Sequence, residues 1–184
     1  MVFRRMLKIT LLTLFLFFFT SPAVIDYITG KHEAGLAHDP MVKIEKFIRS
    51  HHPEISREDL EEITIAVLDA SVQYNIDYYL ILSLIAAESG FRKTAVSRKG
   101  ARGLTQLMPF NCYDLDWKDI RANIFRGTEY LRQLLERFGT IPTALAAYNA
   151  GPTRIARSKE WPRETSRYVQ QVTGYYRELI GLTN

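Results

Sequence analysis

The chain has 184 residues, 47% hydrophobic and 24% charged, which suits one compact globular domain with a single core. Its formal charge of +4 rests largely on Arg4, Arg5 and Lys8, and without residues 1–23 the balance is +1, so nothing in it argues for a nucleic-acid partner. The single cysteine, Cys112, excludes an internal disulfide and supplies no metal cluster, and no cofactor site is visible.

The N-terminus sets positive residues before an apolar run from Ile9 to Phe19 and then Ser21, Pro22 and Ala23. The run is short for a membrane span and fits the apolar region of a secretory signal. Residues 1–29 are therefore expected to direct export to the periplasm or cell envelope. Pro22 makes a poor cleavage signal, and Val24, Ile25, Tyr27 and Ile28 prolong the apolar character. An uncleaved anchor over residues 7–28, tethering the chain to the inner membrane, is the alternative to cleavage. The Arg4-Arg5 pair resembles a twin-arginine signal only weakly. No cysteine follows the apolar run to carry a lipid. Residues 30–40 are polar with Gly and Pro and read as a tether, in which His32 and His38 lack partners at ligand spacing.

The folded domain is expected over 41–184. Val42, Ile44, Phe47 and Ile48 predict a short helix ending before His51 and His52, which would close a surface turn. Ser56 and Asp59 form a capping box, followed at helical period by Leu60, Ile63, Val67, Leu68, Ala70 and Val72. Asp77 is the predicted N-cap of a helix over Tyr78 to Ala87 that is apolar on every face except at Ser83, and Gly90 is its stop. A short helix through Leu104, Gln106, Leu107 and Met108 is expected to end at Pro109. A helix from Ile124 to Phe138 would stop at Gly139, and Pro142 and Gly151 bracket another. Glu164 to Ile180 is the last, with Tyr168, Val169, Val172, Tyr175, Tyr176 and Leu179 as its buried stripe. No run alternates at the strand period, so the fold class is all-α, with no internal repeat.

Glu88 closes the most apolar of these helices. It sits at helical spacing from Leu84 and Ile85 and near the negative end of the helix dipole, and both disfavour its anion. A buried carboxyl of this kind keeps its proton toward neutral pH and can donate it to a leaving group. The alternative is a carboxylate that turns outward at a helix end and is solvated.

Four strings carry a resemblance. They are Glu88-Ser89 followed by Ala95-Val96-Ser97, the run GARGLTQLMP over 100–109, AAYNAG over 146–151, and Glu164-Thr-Ser-Arg-Tyr168-Val. In this order and spacing, over roughly residues 60–180, the chain resembles the family 1 (Slt-like) lytic transglycosylases, whose catalytic domain is similar to goose-type lysozyme. The resemblance implies a lysozyme-like helical domain with a substrate cleft. It also implies cleavage of the β-1,4 bond between N-acetylmuramic acid and N-acetylglucosamine in peptidoglycan glycan strands. In that family the Glu at this position is the sole catalytic carboxylate, acting first as acid and then as base while the muramoyl 6-hydroxyl closes a 1,6-anhydro ring. By the same resemblance Ser97, Gln106, Met108, Tyr148, Asn149 and Tyr168 would line the cleft, with Tyr168 beside the carboxyl. No metal and no cofactor are implied.

Taken singly, these residues have plainer readings: Tyr148 and Tyr168 as buried helix residues, Met108 as core filler, Ser97 and Gln106 as solvated, Asn149 as a helix-end signal. Arg92, Lys93, Arg98, Lys99 and Arg102 make a basic loop, either a solvated rim or a surface that favours stem-peptide carboxylates. Lys93 and Arg98 stand where the family often has proline, predicting a looser loop, and Thr105 replaces a frequent methionine. Two other functions compete. A hydrolytic muramidase would need a second carboxylate, for which Asp114, Asp116 and Asp119 are candidates. A non-catalytic wall-binding or assembly module would use the same cleft without chemistry. Service to a secretion, pilus or wall-synthesis apparatus is not distinguishable from general turnover on sequence grounds.

Overall fold

The computed structural model describes residues 39–181. The export segment and nearly all of the expected tether lie outside those residues, as does the proposed anchor over 7–28. By its own contacts the chain divides into residues 1–43 and a compact unit over 44–184. Of the first, the described part opens helix α1 (Pro40–His51). The described residues then form α2 (Arg57–Tyr74), α3 (Tyr78–Ser89), α4 (Ile120–Phe138), α5 (Ile141–Ala150), α6 (Pro152–Arg157) and α7 (Arg163–Leu179), with a 3-10 turn over Pro109–Asn111. Among them there is no sheet, only two isolated antiparallel bridges that pair Arg102 with Val96 and with Leu107.

Helix boundaries follow the side chains that satisfy the free backbone groups at each end. Ser56 accepts from the amide of Asp59 to start α2, Asp77 from Tyr79 to start α3, Asp119 from Ala122 to start α4, and Thr140 from Thr143 to start α5. Helices α3 and α4 end where Gly90 and Gly139 take left-handed conformations. The Asp119 cap lies ahead of the expected start at Ile124, so α4 gains a full turn. Helix α6 was not anticipated, and His51 closes α1 instead of forming a turn. The His51 ring packs 4.4 Å from Phe47 and 4.8 Å from Tyr175, between centroids.

Helix α3 is the core element: Leu80 through Ala86 are all buried. It packs on α2 and α7, α2 packs on α4, and α5 packs on α4, α6 and α7. Helices α3 and α7 run antiparallel and are clamped at both ends. The Tyr176 hydroxyl donates to Asp77 Oδ2 at 2.8 Å at one end, and the Tyr168 hydroxyl donates to Glu88 Oε1 at 2.6 Å at the other. Along α7, Tyr168, Val169, Val172 and Leu179 are buried, while Tyr175 and Tyr176 pack half-buried against the core. Val72 departs from the expected stripe of α2: it is 84% exposed, because two residues after Ala70 it lies on the opposite face.

The helix expected through Leu104 to Met108 does not form. Gln106 has φ +50°, Gly103 has φ +77°, and the segment folds as successive turns closed by the Arg102–Leu107 bridge. The apolar spacing of Leu104 and Leu107, both buried, is met by turns that return each side chain to the core.

Candidate active site

Glu88 lies in the last turn of α3, where the chain must leave the core. Gly90 and then Phe91, at φ +62°, turn it back, and Phe91 is buried against Phe47. Ser89 is buried too, and its hydroxyl donates to the Leu104 carbonyl at 2.8 Å, joining the end of α3 to the irregular segment that follows. Glu88 is thereby left at the floor of a pocket of about 460 Å3 lined by Ser97, Arg98, Lys99, Ala101, Gln106, Met108, Tyr148, Asn149 and Glu164.

The Glu88 carboxyl is largely enclosed by protein, and burial pushes it up to about 7, opposed by the Tyr168 hydroxyl, which stabilises the anion. No other hydrogen bond reaches Glu88 among the described residues, so Oε2 is the oxygen available to a reacting group. Burial, and next the neighbouring Glu88 charge, hold Tyr148 and Tyr168 well above the ordinary phenol value. Both therefore keep their protons at neutral pH, and both protons are committed. Tyr168 donates to Glu88, and Tyr148 donates to the Thr105 carbonyl at 2.9 Å.

The pocket wall is held from behind by Asn123 on α4. Its Oδ1 accepts from the Thr105 amide and hydroxyl at 2.9 and 2.8 Å, and its Nδ2 donates to the carbonyls of Arg102 and Trp117. Two glycines make this close approach feasible. A Cβ on Gly103 would strike the Asn123 side chain and come within 2.7 Å of the Trp117 carbonyl, and one on Gly127 would strike the Thr105 side chain. Threonine at 105 thus serves as a hydrogen-bonded tie, fully buried.

Of the residues expected in the cleft, Ser97, Gln106, Met108, Tyr148 and Asn149 meet around this pocket, and Tyr168 lies against Glu88. The Gln106 amide donates through Nε2 to the carbonyls of Ala95 and Gly103, leaving its oxygen as an acceptor. The Ser97 hydroxyl accepts from the Ala101 amide at 3.0 Å, and Asn149 Oδ1 accepts from Thr165 at 3.0 Å. The candidate second carboxylates do not join them. Asp114 is paired with Arg126 in a two-bond arrangement at 2.9 and 3.1 Å, Asp116 accepts from the Lys118 amide, and Asp119 caps α4. Arg126 borders a smaller pocket of about 180 Å3 with Phe110 and Tyr130. The acidic residue that does line the Glu88 pocket is Glu164, exposed in the first turn of α7. Only its place four residues before Tyr168 could have signalled this, since one helical turn puts both on one face. Among the described residues no group of His, Cys, Asp and Glu has the arrangement of a metal site.

The model of the transglycosylase SLT domain matches residues 66–171, which include Glu88, the pocket wall and Tyr168. The chain belongs to this family. It is 34% identical over 111 residues to a transglycosylase of Enterobacteria phage PRD1, a match covering 57% of this chain and 42% of that one. It is 27% identical over 148 residues to a membrane-bound lytic murein transglycosylase F of Actinobacillus succinogenes, covering 70% and 30%. An inactive Glu-to-Gln mutant of the lytic transglycosylase Slt from Pseudomonas aeruginosa superposes with a TM-score of 0.55 at 25% identity, over 65% of this chain and 24% of that one. The SLT fold is thus shared, while the chain spans less than half the length of these relatives.

Proposed function

We propose that this SLT domain protein is an exported lytic transglycosylase of the cell envelope, cutting peptidoglycan glycan strands between N-acetylmuramic acid and N-acetylglucosamine without adding water. The observation that carries the reading is the Glu88 carboxyl, pushed up to about 7 by burial, with Oε1 fixed by Tyr168 and Oε2 free. Protonated Glu88 gives its proton to the glycosidic oxygen, which leaves with the electron pair of the C1–O bond. The resulting carboxylate takes the proton of the muramoyl 6-hydroxyl as that oxygen bonds to C1, closing the 1,6-anhydro ring and restoring the acid. A single carboxyl suffices because the substrate supplies its own nucleophile. Ser97, Gln106, Met108, Tyr148 and Asn149 form the sugar-binding wall. The relatives named membrane-bound murein transglycosylases support an envelope location, with residues 1–29 as the export segment.

Mass spectrometry of the soluble products released from peptidoglycan, with Glu88→Gln run beside the natural chain, tests this. Fragments ending in 1,6-anhydromuramic acid are expected from the natural chain alone. Glu164 supports a second reading, a hydrolase with two carboxyls, because it lines the same pocket. Reducing ends heavier by one water would establish that reading. Equally little release from both proteins would instead favour a wall-binding module.

A further inference from the structure

Four of the basic residues between 92 and 102 do not behave as one rim. Lys93 is paired with Asp59 at 2.7 Å, and Arg102 lies over the Trp117 ring. Arg98 and Lys99 instead line the Glu88 pocket, and neither has a hydrogen-bond or ion-pair partner among the described residues. They are presented by a tight turn: Ser97 N–H donates to the Ala101 carbonyl, Gly100 N–H to the Ser97 carbonyl, and the Ala101 amide to the Ser97 hydroxyl. Arginines 57, 121, 126 and 132 are each paired with a carboxylate; other surface cations among the described residues lack one, and what sets Arg98 and Lys99 apart is that they line the pocket that holds Glu88. With Glu88 protonated, as the chemistry requires, the pocket holds two cations against Glu164.

We infer that Arg98 and Lys99 form a carboxylate-recognition site, through which this cleft selects muramoyl residues whose lactyl arm carries a negative charge. Resting on the transglycosylase reading, it names the substrate class: anionic muramoyl glycan over neutral glycan. The charge has two sources in peptidoglycan. One is the free lactyl carboxylate of strands stripped of peptide, and the other is a carboxylate further along a stem peptide.

The test is binding, read separately from turnover. The full chain carrying Glu88→Gln is titrated with three soluble glycans: peptide-bearing strands, amidase-stripped strands, and stripped strands whose lactyl carboxylates have been converted to methylamides. The same titrations follow with Arg98→Gln and Lys99→Gln added, and with the charge-keeping Arg98→Lys and Lys99→Arg pair. Loss of the two cations is expected to weaken binding about 10-fold on an anionic glycan and leave the methylamide unchanged, with the charge-keeping pair close to the parent. A loss confined to stripped strands assigns the lactyl carboxylate, and one confined to peptide-bearing strands assigns the stem peptide. Equal affinities in all arms, or an equal loss on the neutral glycan, would overturn the inference. Because binding is measured, these outcomes stand even if the natural chain releases no anhydro product.

Discussion

The Tyr168 hydroxyl donates to Glu88 Oε1 at 2.6 Å, linking the first half of α7 to the last turn of α3. Burial raises the carboxyl and this bond partly lowers it, so the two residues together set the pH at which Glu88 changes state. In the acid form, a donor fixed on Oε1 leaves the proton on Oε2.

Replacing Tyr168 by Phe removes the bond that favours the anion. Glu88 should then titrate above about 7, and the high-pH limb of the rate profile should move upward. The maximal rate should fall on the order of 10-fold as the carboxyl loses its fixed orientation. Rate profiles from pH 4 to 9 for both proteins check this, and an unmoved limb would count against the bond in solution.

Glu88→Gln keeps the side-chain shape and removes the titrating proton. Release of anhydro products should drop by about 10²–10⁴-fold while circular dichroism and glycan binding persist.

The same variant has a second signature. The folded-state value near 7 exceeds the ordinary value of 4.5, so the folded chain binds the extra proton between these pH values and loses stability as pH rises through 7. Glu88→Gln is neutral throughout and escapes that loss. It should match the natural chain near pH 4 and exceed it at pH 8 by at most roughly 3 kcal/mol in urea unfolding. A constant difference at both pH values would mean that the carboxyl is not desolvated.

Gly127→Ala drives a methyl group into the Thr105 side chain, which is already held by Asn123. A cost of about 1–3 kcal/mol is expected, with activity lowered because the Thr105 carbonyl also anchors Tyr148. Denaturant midpoints and product release, measured together, test the coupling.

Asp114→Asn leaves the Glu88 pocket untouched, since Asp114 faces Arg126. Product release within about twofold of the natural chain is expected, whereas a catalytic second carboxylate would show losses of at least about 10²-fold.

The helices were legible where one local signal decided them. Asp77, Gly90 and Gly139 act through backbone groups within a few residues, so sequence spacing alone located the ends. Glu88 stood out for the same reason, as a carboxyl closing an otherwise apolar helix. The pocket wall was less legible because its order is set from afar. Thr105 is tied to Asn123, 18 residues on, and the left-handed Gln106 is stabilised by carbonyls that its own side chain reaches. The i, i+3 pair Leu104 and Leu107 imitated a helix because a turn satisfies the same spacing. Glu164, quoted as the start of a motif and of the last helix, was not read as a pocket residue, since an acidic residue in a first helical turn already has a reason to be there.

Although it contains no helix, the stretch from Ala95 to Leu107 is fastened through most of its backbone amides. The N–H groups of Ala95, Ser97, Gly100, Ala101, Arg102, Gly103, Thr105, Gln106 and Leu107 each have a protein acceptor. Such a segment cannot swing aside as a flap without exposing buried Leu104 and Leu107. Its hydrogens should therefore exchange with solvent about as slowly as those of the core helices, and heat should dismantle groove and core in one transition. A ligand entering the Glu88 pocket would then meet a wall already in place, one that does not have to form around it.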